Sequence, residues 1–222
     1  MAQIRAVFDR HLSELRNDIV DLGSRAEQAI RWSMESLRRR DLALARVVVE
    51  GDQEINRSRF DIEERAVNQI ATQQPLASDL RTIVTVIHTA TELERIADHA
   101  EGIARISLML GDQSLPPLGR LDEMAERGIG MMHRSITAFI ERDVALARRV
   151  GDDDDALDEL YDANYAEVIG RMLLEPNAAK VLTYQLWTAH NLERIGDRAT
   201  NICERVVYLV TGRMEETNVS RY

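Results

Sequence analysis

Leu93-Glu94-Arg95-Ile96-Ala97-Asp98 returns 99 residues later as Leu192-Glu193-Arg194-Ile195-Gly196-Asp197. On the same shift Thr89-Ala90 meets Thr188-Ala189, Ala100 meets Ala199 and Ile103 meets Ile202. A second block, Arg40-Asp41-Leu42-Ala43-Leu44-Ala45-Arg46, returns as Arg142-Asp143-Val144-Ala145-Leu146-Ala147-Arg148 at a shift of 102 residues. That register also carries Asp52, Ile55 and Asn56 onto Asp154, Leu157 and Asp158. Two blocks that match in the same order define a duplication, and a repeat read this way sets the fold. The shifts differ by 3, so the first copy holds three extra residues between its blocks.

Each copy reads as three helices. The first runs from about Ile4 to Arg39, with Leu12, Leu15, Ile19, Leu22, Ala26, Ile30 and Leu37 at helical spacing. Asp41 caps the second helix, which carries Leu44, Val48, Ile55, Ile62, Ala66 and Ile70. Pro75 breaks the pattern, and the third helix runs from about Ala77 to Leu110. Gly111 and Pro116-Pro117 punctuate the chain. The second copy repeats the plan: a helix to Ile140, one from the capping Asp143 to about Leu174, and one after Pro176 that Gly212 stops. No segment alternates with period two for long enough to make a strand. A lone amphipathic helix is marginal in water, so three must pack to bury their stripes. The expected fold is all-α: six helices as two tandem three-helix bundles related by a pseudo-twofold repeat. The expected divisions are residues 1–113, 114–214 and a polar, frayed tail over 215–222.

Composition bounds the function. The formal net charge is -10 with both signs interspersed, which excludes the basic face that general nucleic-acid binding requires. No window approaches the run of about 20 apolar residues that a membrane span needs. The N-terminus meets Asp9 too early for a signal peptide, and the single Cys203 excludes an internal disulfide. The expectation is a soluble cytoplasmic protein. There is no glycine-rich phosphate loop, nucleophile elbow or triad pattern, so catalysis has no visible carrier.

The charge pattern of the duplicated helix is informative. Residues four apart share a helix face, about 5–6 Å between Cβ atoms. Glu94 and Asp98 are so placed, as are Glu193 and Asp197. Asp154 and Asp158 form a third pair on the preceding helix, with Asp52 and Asn56 as its weaker counterpart. Like charges at this spacing destabilise a helix by a few tenths of a kcal/mol. Yet both carboxylates persist while Ala97 gives way to Gly196 and His99 to Arg198. Two readings stand: a solvated acidic face, or oxygen ligation of hard or borderline cations such as Mg²⁺, Mn²⁺, Ca²⁺ or iron. In the second copy Asp154 and Asp158 could face Glu193 and Asp197, with Asn201 one turn on. No Cys or His cluster supports a structural zinc site, and no Glu-x-x-His pair accompanies the repeated acids. The run Asp152-Asp153-Asp154-Asp155 reads as charge loaded near a helix N-terminus. His88, His99 and His190 read as surface or interface residues. Arg95 and Arg194 read as partners in salt bridges to neighbouring helices, and Met131-Met132 as core filling.

The stretch Leu192-Glu193-Arg194-Ile195-Gly196-Asp197-Arg198-Ala199-Thr200-Asn201-Ile202-Cys203-Glu204 resembles a signature of the PhoU family, the accessory and regulatory proteins of phosphate-specific transport. Gln74-Pro75-Leu76-Ala77-Ser78-Asp79-Leu80-Arg81, followed by Leu93–Asp98, is similar to the first copy of that signature. The resemblance covers about residues 5–213. Ala97 replaces the usual glycine, and Gly102 stands where the second copy has Asn201, which makes the first site poorer in ligands. The resemblance implies two three-helix bundles, often dimeric, with metal ions (iron, manganese, magnesium or zinc) held by the acidic motifs. Glu94, Asp98, Glu193 and Asp197 would be ligands, with Asp52, Asp154, Asp158 and Asn201 as their partners. It further implies a non-enzymatic negative regulator of phosphate uptake and the phosphate regulon. Its partners would be the ATPase subunit of the phosphate ABC transporter and a phosphate-sensing histidine kinase. The alternatives are a metal-dependent phosphohydrolase using the carboxylates, and a purely structural helical adaptor.

Overall fold

The computed structural model describes residues 2–111, 113 and 115–215, with side chains from residue 6 onward. Six long helices account for its secondary structure: α1 (Ala2–Arg39), α2 (Leu42–Gln73), α3 (Ser78–Leu110), α4 (Arg120–Glu141), α5 (Val144–Leu174) and α6 (Ala179–Thr211). A single 3₁₀ turn, Pro176–Ala178, leads into α6. No strand occurs among the described residues. The expected division at residue 113 falls in the link between α3 and α4, where residues 112 and 114 lie outside the described ones. Of the expected polar tail over 215–222, only Glu215 is described.

The duplicated Arg-Asp dipeptide makes the same corner twice. Arg40 and Arg142 both adopt the left-handed conformation, each with φ 56°. The following N–H of Asp41 then reaches Ser36 O, and that of Asp143 reaches Ala138 O, each at 3.0 Å. These bonds close the C-termini of α1 and α4 in the manner of a Schellman motif. The same aspartates start the next helices. Asp41 Oδ1 accepts from Ala43 N at 3.0 Å and Leu44 N at 2.9 Å, and Asp143 Oδ1 accepts from Leu146 N at 2.9 Å. Both expected caps are therefore present. Asp41→Ala is expected to cost about 1 kcal/mol by removing acceptors from the first turn of α2. Chemical denaturation of the purified variant measures it, and an unchanged midpoint would show the cap to be energetically idle. Gly212 ends α6 in the left-handed region at φ 72°, with its N–H bonded to Tyr208 O at 2.8 Å.

Helices α1, α2 and α3 pack on one another, as do α4, α5 and α6, and α3 packs lengthwise on α6. One apolar core runs through both triplets, from Leu15, Ile19 and Leu22 of α1 to Val206 and Val207 of α6. Met131 and Met132 are buried in it, as their pattern indicates. The centre of the molecule is thus the α3/α6 pair, with the other four helices outside it.

That pair obeys the sequence duplication residue by residue. Glu92 on α3 is buried, and its carboxylate accepts from Asn201 Nδ2 at 3.1 Å on α6, with Arg198 Nη1 at 3.5 Å. Moving each residue by the 99-residue shift turns Glu92 into Asn191, Arg198 into His99 and Asn201 into Gly102. The structure brings those three together as well. Asn191 Oδ1 lies 3.1 Å from His99 Nδ1, and a Cβ at Gly102 would lie 3.0 Å from the same oxygen. One crossing is charged and the other neutral, at equivalent places around the pseudo-twofold.

Candidate functional site

The repeated acids lie where the second and third helices of each triplet meet. In the first triplet, Glu94 on α3 is 3.8 Å from Arg59 Nη2 on α2. Arg59 also pairs with Glu63 at 2.7 Å and stacks over the Phe60 ring at 3.8 Å. Asp52 accepts from Asn56 Nδ2 at 2.9 Å through one carboxylate oxygen, while its buried Oδ1 has no hydrogen-bond partner. Burial, then the charges of Asp98 and Glu101, push the Asp52 carboxyl above its ordinary range. Burial, then Glu94 and Glu101, do the same to Asp98. Glu101 is itself held by Arg105 of the same helix, at 2.7 Å from Nε.

In the second triplet the acids crowd further. Glu193 is buried and paired with Arg194, whose Nη1 also reaches Asp197 at 2.8 Å. Asp197 is raised by burial and by Glu193, against the pull of Arg194 and Arg198. Asp158, on α5, is pushed up to about 6 by burial and by Glu193, Asp197, Asp155 and Asp162. Burial disfavours its charged form, and the four neighbouring acids add like-charge repulsion to that.

The structure sorts the expected residues. Asp52 with Glu94 and Asp98, and Asp158 with Glu193 and Asp197, each share one electrostatic neighbourhood. Asp154 goes beneath the rim instead: it is fully buried, and its Oδ1 would lie 2.9 Å from a Cβ on Gly196. Asn201 faces α3 and serves Glu92. Glu101, Asp155 and Asp162 belong to the clusters although the sequence reading did not select them. Glu101 follows Asp98 by three, and Asp155 and Asp162 flank Asp158 by three and four, so a search of the whole helix face finds them. Among the described residues, no three carboxylate, imidazole or thiolate groups converge on one point.

Two expectations are corrected. The Asp152–Asp155 run does not load a helix N-terminus, because α5 begins at Val144 and the run lies roughly two and a half turns past its capping Asp143. The helix dipole acts only over the first turn, so it gives these charges no support. Asp153 instead pairs with Arg134 of α4 at 2.7 Å. Among the described residues Arg95 pairs with Glu92 of its own helix and not with a neighbouring one; Arg194 pairs with Glu193 and Asp197 along its own helix. Of the histidines, His99 does sit at the α3/α6 interface.

Gly196 is what lets α5 approach α6 at the second cluster. A Cβ there would overlap the Leu157 Cδ2 methyl as well as crowd Asp154. Because Leu157 is buried, Gly196→Ala is expected to destabilise by about 1–2 kcal/mol despite the gain in helix propensity. A thermal melt of the variant reads this out; a higher midpoint than wild type would show that Leu157 yields freely.

The fold is thus a duplicated six-helix bundle arranged around a central helix pair, with an acidic face on each triplet. The PhoU domain family matches it twice, over residues 19–107 and 121–206, and the chain belongs to the PhoU family. It is 35% identical over 216 residues to a phosphate-specific transport system accessory protein PhoU homolog from Clostridium acetobutylicum, covering 96% of this chain and 99% of that one. The PhoU protein of Escherichia coli K12 is 33% identical over 211 residues, covering 95% and 88% of the two chains. Crystal structures agree. PhoU from Pseudomonas aeruginosa superposes with a TM-score of 0.87 at 32% identity, covering 93% of this chain and all of that one. The phosphate transport system regulatory protein PhoU from Streptococcus pneumoniae also gives 0.87, at 29% identity. No helix among the described residues is long and apolar enough to cross a membrane.

Proposed function

We propose that this protein is a non-enzymatic, cytoplasmic accessory protein of phosphate-specific transport that represses phosphate uptake and the phosphate regulon when phosphate is plentiful. The observation that carries the reading is the double family match, with similarity over nearly the whole chain to proteins named as accessory proteins of the phosphate-specific transport system. It acts by protein contacts, between the ATPase subunit of the phosphate ABC transporter and the phosphate-sensing histidine kinase, and as a homodimer. Deleting the gene and reading a phosphate-starvation reporter in high phosphate tests it: derepression is expected, and unchanged repression in a strain with no second copy would overturn it.

The acidic faces fit metal ions as part of this role. Their donors are all oxygen, Asp52 Oδ1 is buried without a partner, and burial, then mutual repulsion, raises Asp52, Asp98, Asp158 and Asp197. A hard or borderline cation (iron, manganese, magnesium or zinc) relieves that repulsion. Asp52, Glu94 and Asp98 would hold it on one triplet, and Asp158, Glu193 and Asp197 on the other, once Arg194 swings away from its two acids. Asp154 supports the second site from the buried side, while Asn201 faces α3 and takes no part. Elemental analysis of protein purified without chelator tests this, and metal-free protein that takes up none of these cations on addition would remove the metal from the reading.

A further inference from the structure

The two acidic faces are neutralised from different directions. On the first, the cation comes from across the helix junction: Arg59 of α2 holds Nη2 at 3.8 Å from Glu94 Oε1 of α3. Its anchors lie outside the acids that would hold an ion. Nη1 donates to Glu63 Oε2 at 2.7 Å, and the guanidinium stacks 3.8 Å over the Phe60 ring. The side chain is largely buried, so it is fixed in place. An arginine stacked on a ring and paired with a carboxylate stays charged at every physiological pH. Withdrawing Glu94 takes one partner from Arg59, leaves Glu63 and Phe60, and leaves the positive charge where it was. The duplication replaces this arginine on the second face. The 102-residue shift turns Arg59 into Tyr161, Phe60 into Asp162 and Glu63 into Tyr165. Tyr161 lies against Tyr165 and His190, with ring centroids 6.4 and 6.5 Å apart. Thus α5 presents rings and an acid where α2 presents a fixed cation. Glu193 pairs instead with Arg194 of its own helix, which also reaches Asp197 at 2.8 Å. Those partners are the acids that would take an ion, so an arriving cation displaces Arg194 from both.

We propose that Arg59 is a resident cation of the first acidic face and makes the two faces unequal. Divalent metal enters the face of Asp158, Glu193 and Asp197 first, and enters that of Asp52, Glu94 and Asp98 on the order of tenfold more weakly. The inference rests on the metal reading of these faces. Its basis is Coulombic: a unit charge fixed beside a donor oxygen repels a doubly charged ion, and in a partly solvated site that repulsion is worth about a decade in affinity. Arg59 and Glu63 need not touch the ion; they set the field in which Glu94 works. Two faces of one duplicated design would then fill over two separate ranges of metal concentration.

The test titrates the whole metal-free protein with Mn²⁺ and follows the paramagnetic resonance signal of the free ion, with a thermal melt of each variant. E193Q/D197N leaves the first face to report alone, and E94Q/D98N the second. The first-face reporter is expected to bind Mn²⁺ about tenfold more weakly than the second-face reporter. Two exchanges that keep the net charge constant locate the cause. R59Y/E63Y, made in the first-face reporter, writes the second copy's residues onto α2 and is expected to close the gap. Y161R/Y165E, made in the second-face reporter, writes the arginine and its carboxylate anchor onto α5 and is expected to weaken binding by a similar factor. A variant that does not fold shows itself in the melt, and the reciprocal exchange then decides. Equal affinities in the two reporters, a tighter first face, or a gap that the exchanges leave unmoved would overturn the proposal while the metal reading stands. Mn²⁺ binding to neither face in any variant would remove the metal reading, and this inference with it.

Discussion

Replacing Glu92 by alanine is expected to cost about 3 kcal/mol of stability, more than the loss of its packing area would explain. Glu92 lies on α3 at the junction of the two triplets, 9% exposed, and its carboxylate gathers Asn201, Arg198 and Arg95. Truncating it leaves the Arg198 guanidinium, three-quarters buried, facing α3 without its counter-charge. Breaking a buried pair from one side is costly because the surviving charge keeps its desolvation penalty and loses its compensation. The duplicated crossing supplies a way to repair the damage. At the equivalent place the junction is built from Asn191, His99 and Gly102 and carries no ion pair. The triple variant E92N/R198H/N201G therefore writes the neutral crossing in place of the charged one, and is expected to recover most of the loss. Urea denaturation of wild type, E92A and the triple variant decides: a near-neutral E92A, or a triple variant as weak as E92A, would show that the two crossings are not interchangeable units.

The same crossing shows where sequence reading stops. The helix corners were legible because their chemistry is local: an Arg-Asp dipeptide turns and caps, Pro75 cannot continue α2, and Gly212 accepts φ 72°. The duplication was legible because the two copies share one pattern. Neither kind of signal says which flank of α6 faces α3 and which faces α5. Asn201 follows Asp197 by four and was grouped with it for that reason, yet α6 is buried on two sides and Asn201 belongs to the α3 side. Asp154 and Asp158 are likewise four apart on α5. The small Gly196 draws α5 close to α6, so Asp154 is buried under the crossing and Asp158 stays at its rim among the other acids. The Asp152–Asp155 run lies roughly two and a half turns past the capping Asp143, beyond the first turn over which the helix dipole acts, so its charge gains nothing from the helix start.

The acidic rim makes the second large prediction. In metal-free protein, Asp158→Asn is expected to raise stability at pH 7.5 by about 1–2 kcal/mol, a figure reduced from the full linkage value because Asp158 is partly solvated. The sign follows from its titration. Burial and four neighbouring acids push the folded-state pKa up to about 6, so folding favours the protonated form. The stability that protonation supplies is fully present below the ordinary aspartate range and is lost as pH rises through about 6. Wild type should therefore converge on the variant as pH falls from 7.5 towards 4. His88 and His99 act in the opposite sense, since burial lowers both, and stability they support is lost as pH falls through their folded values. They are common to both proteins, so the difference between the two stability curves isolates Asp158. A cation at the rim does at neutral pH what a proton does in acid: it neutralises the excess charge. Saturating divalent metal should thus stabilise wild type at pH 7.5 and stabilise D158N less, because one donor and much of the repulsion are already gone. Were D158N less stable than wild type in chelator at pH 7.5, Asp158 would be held by a favourable contact, and the acidic face would have lost the physical reason to expect an ion there.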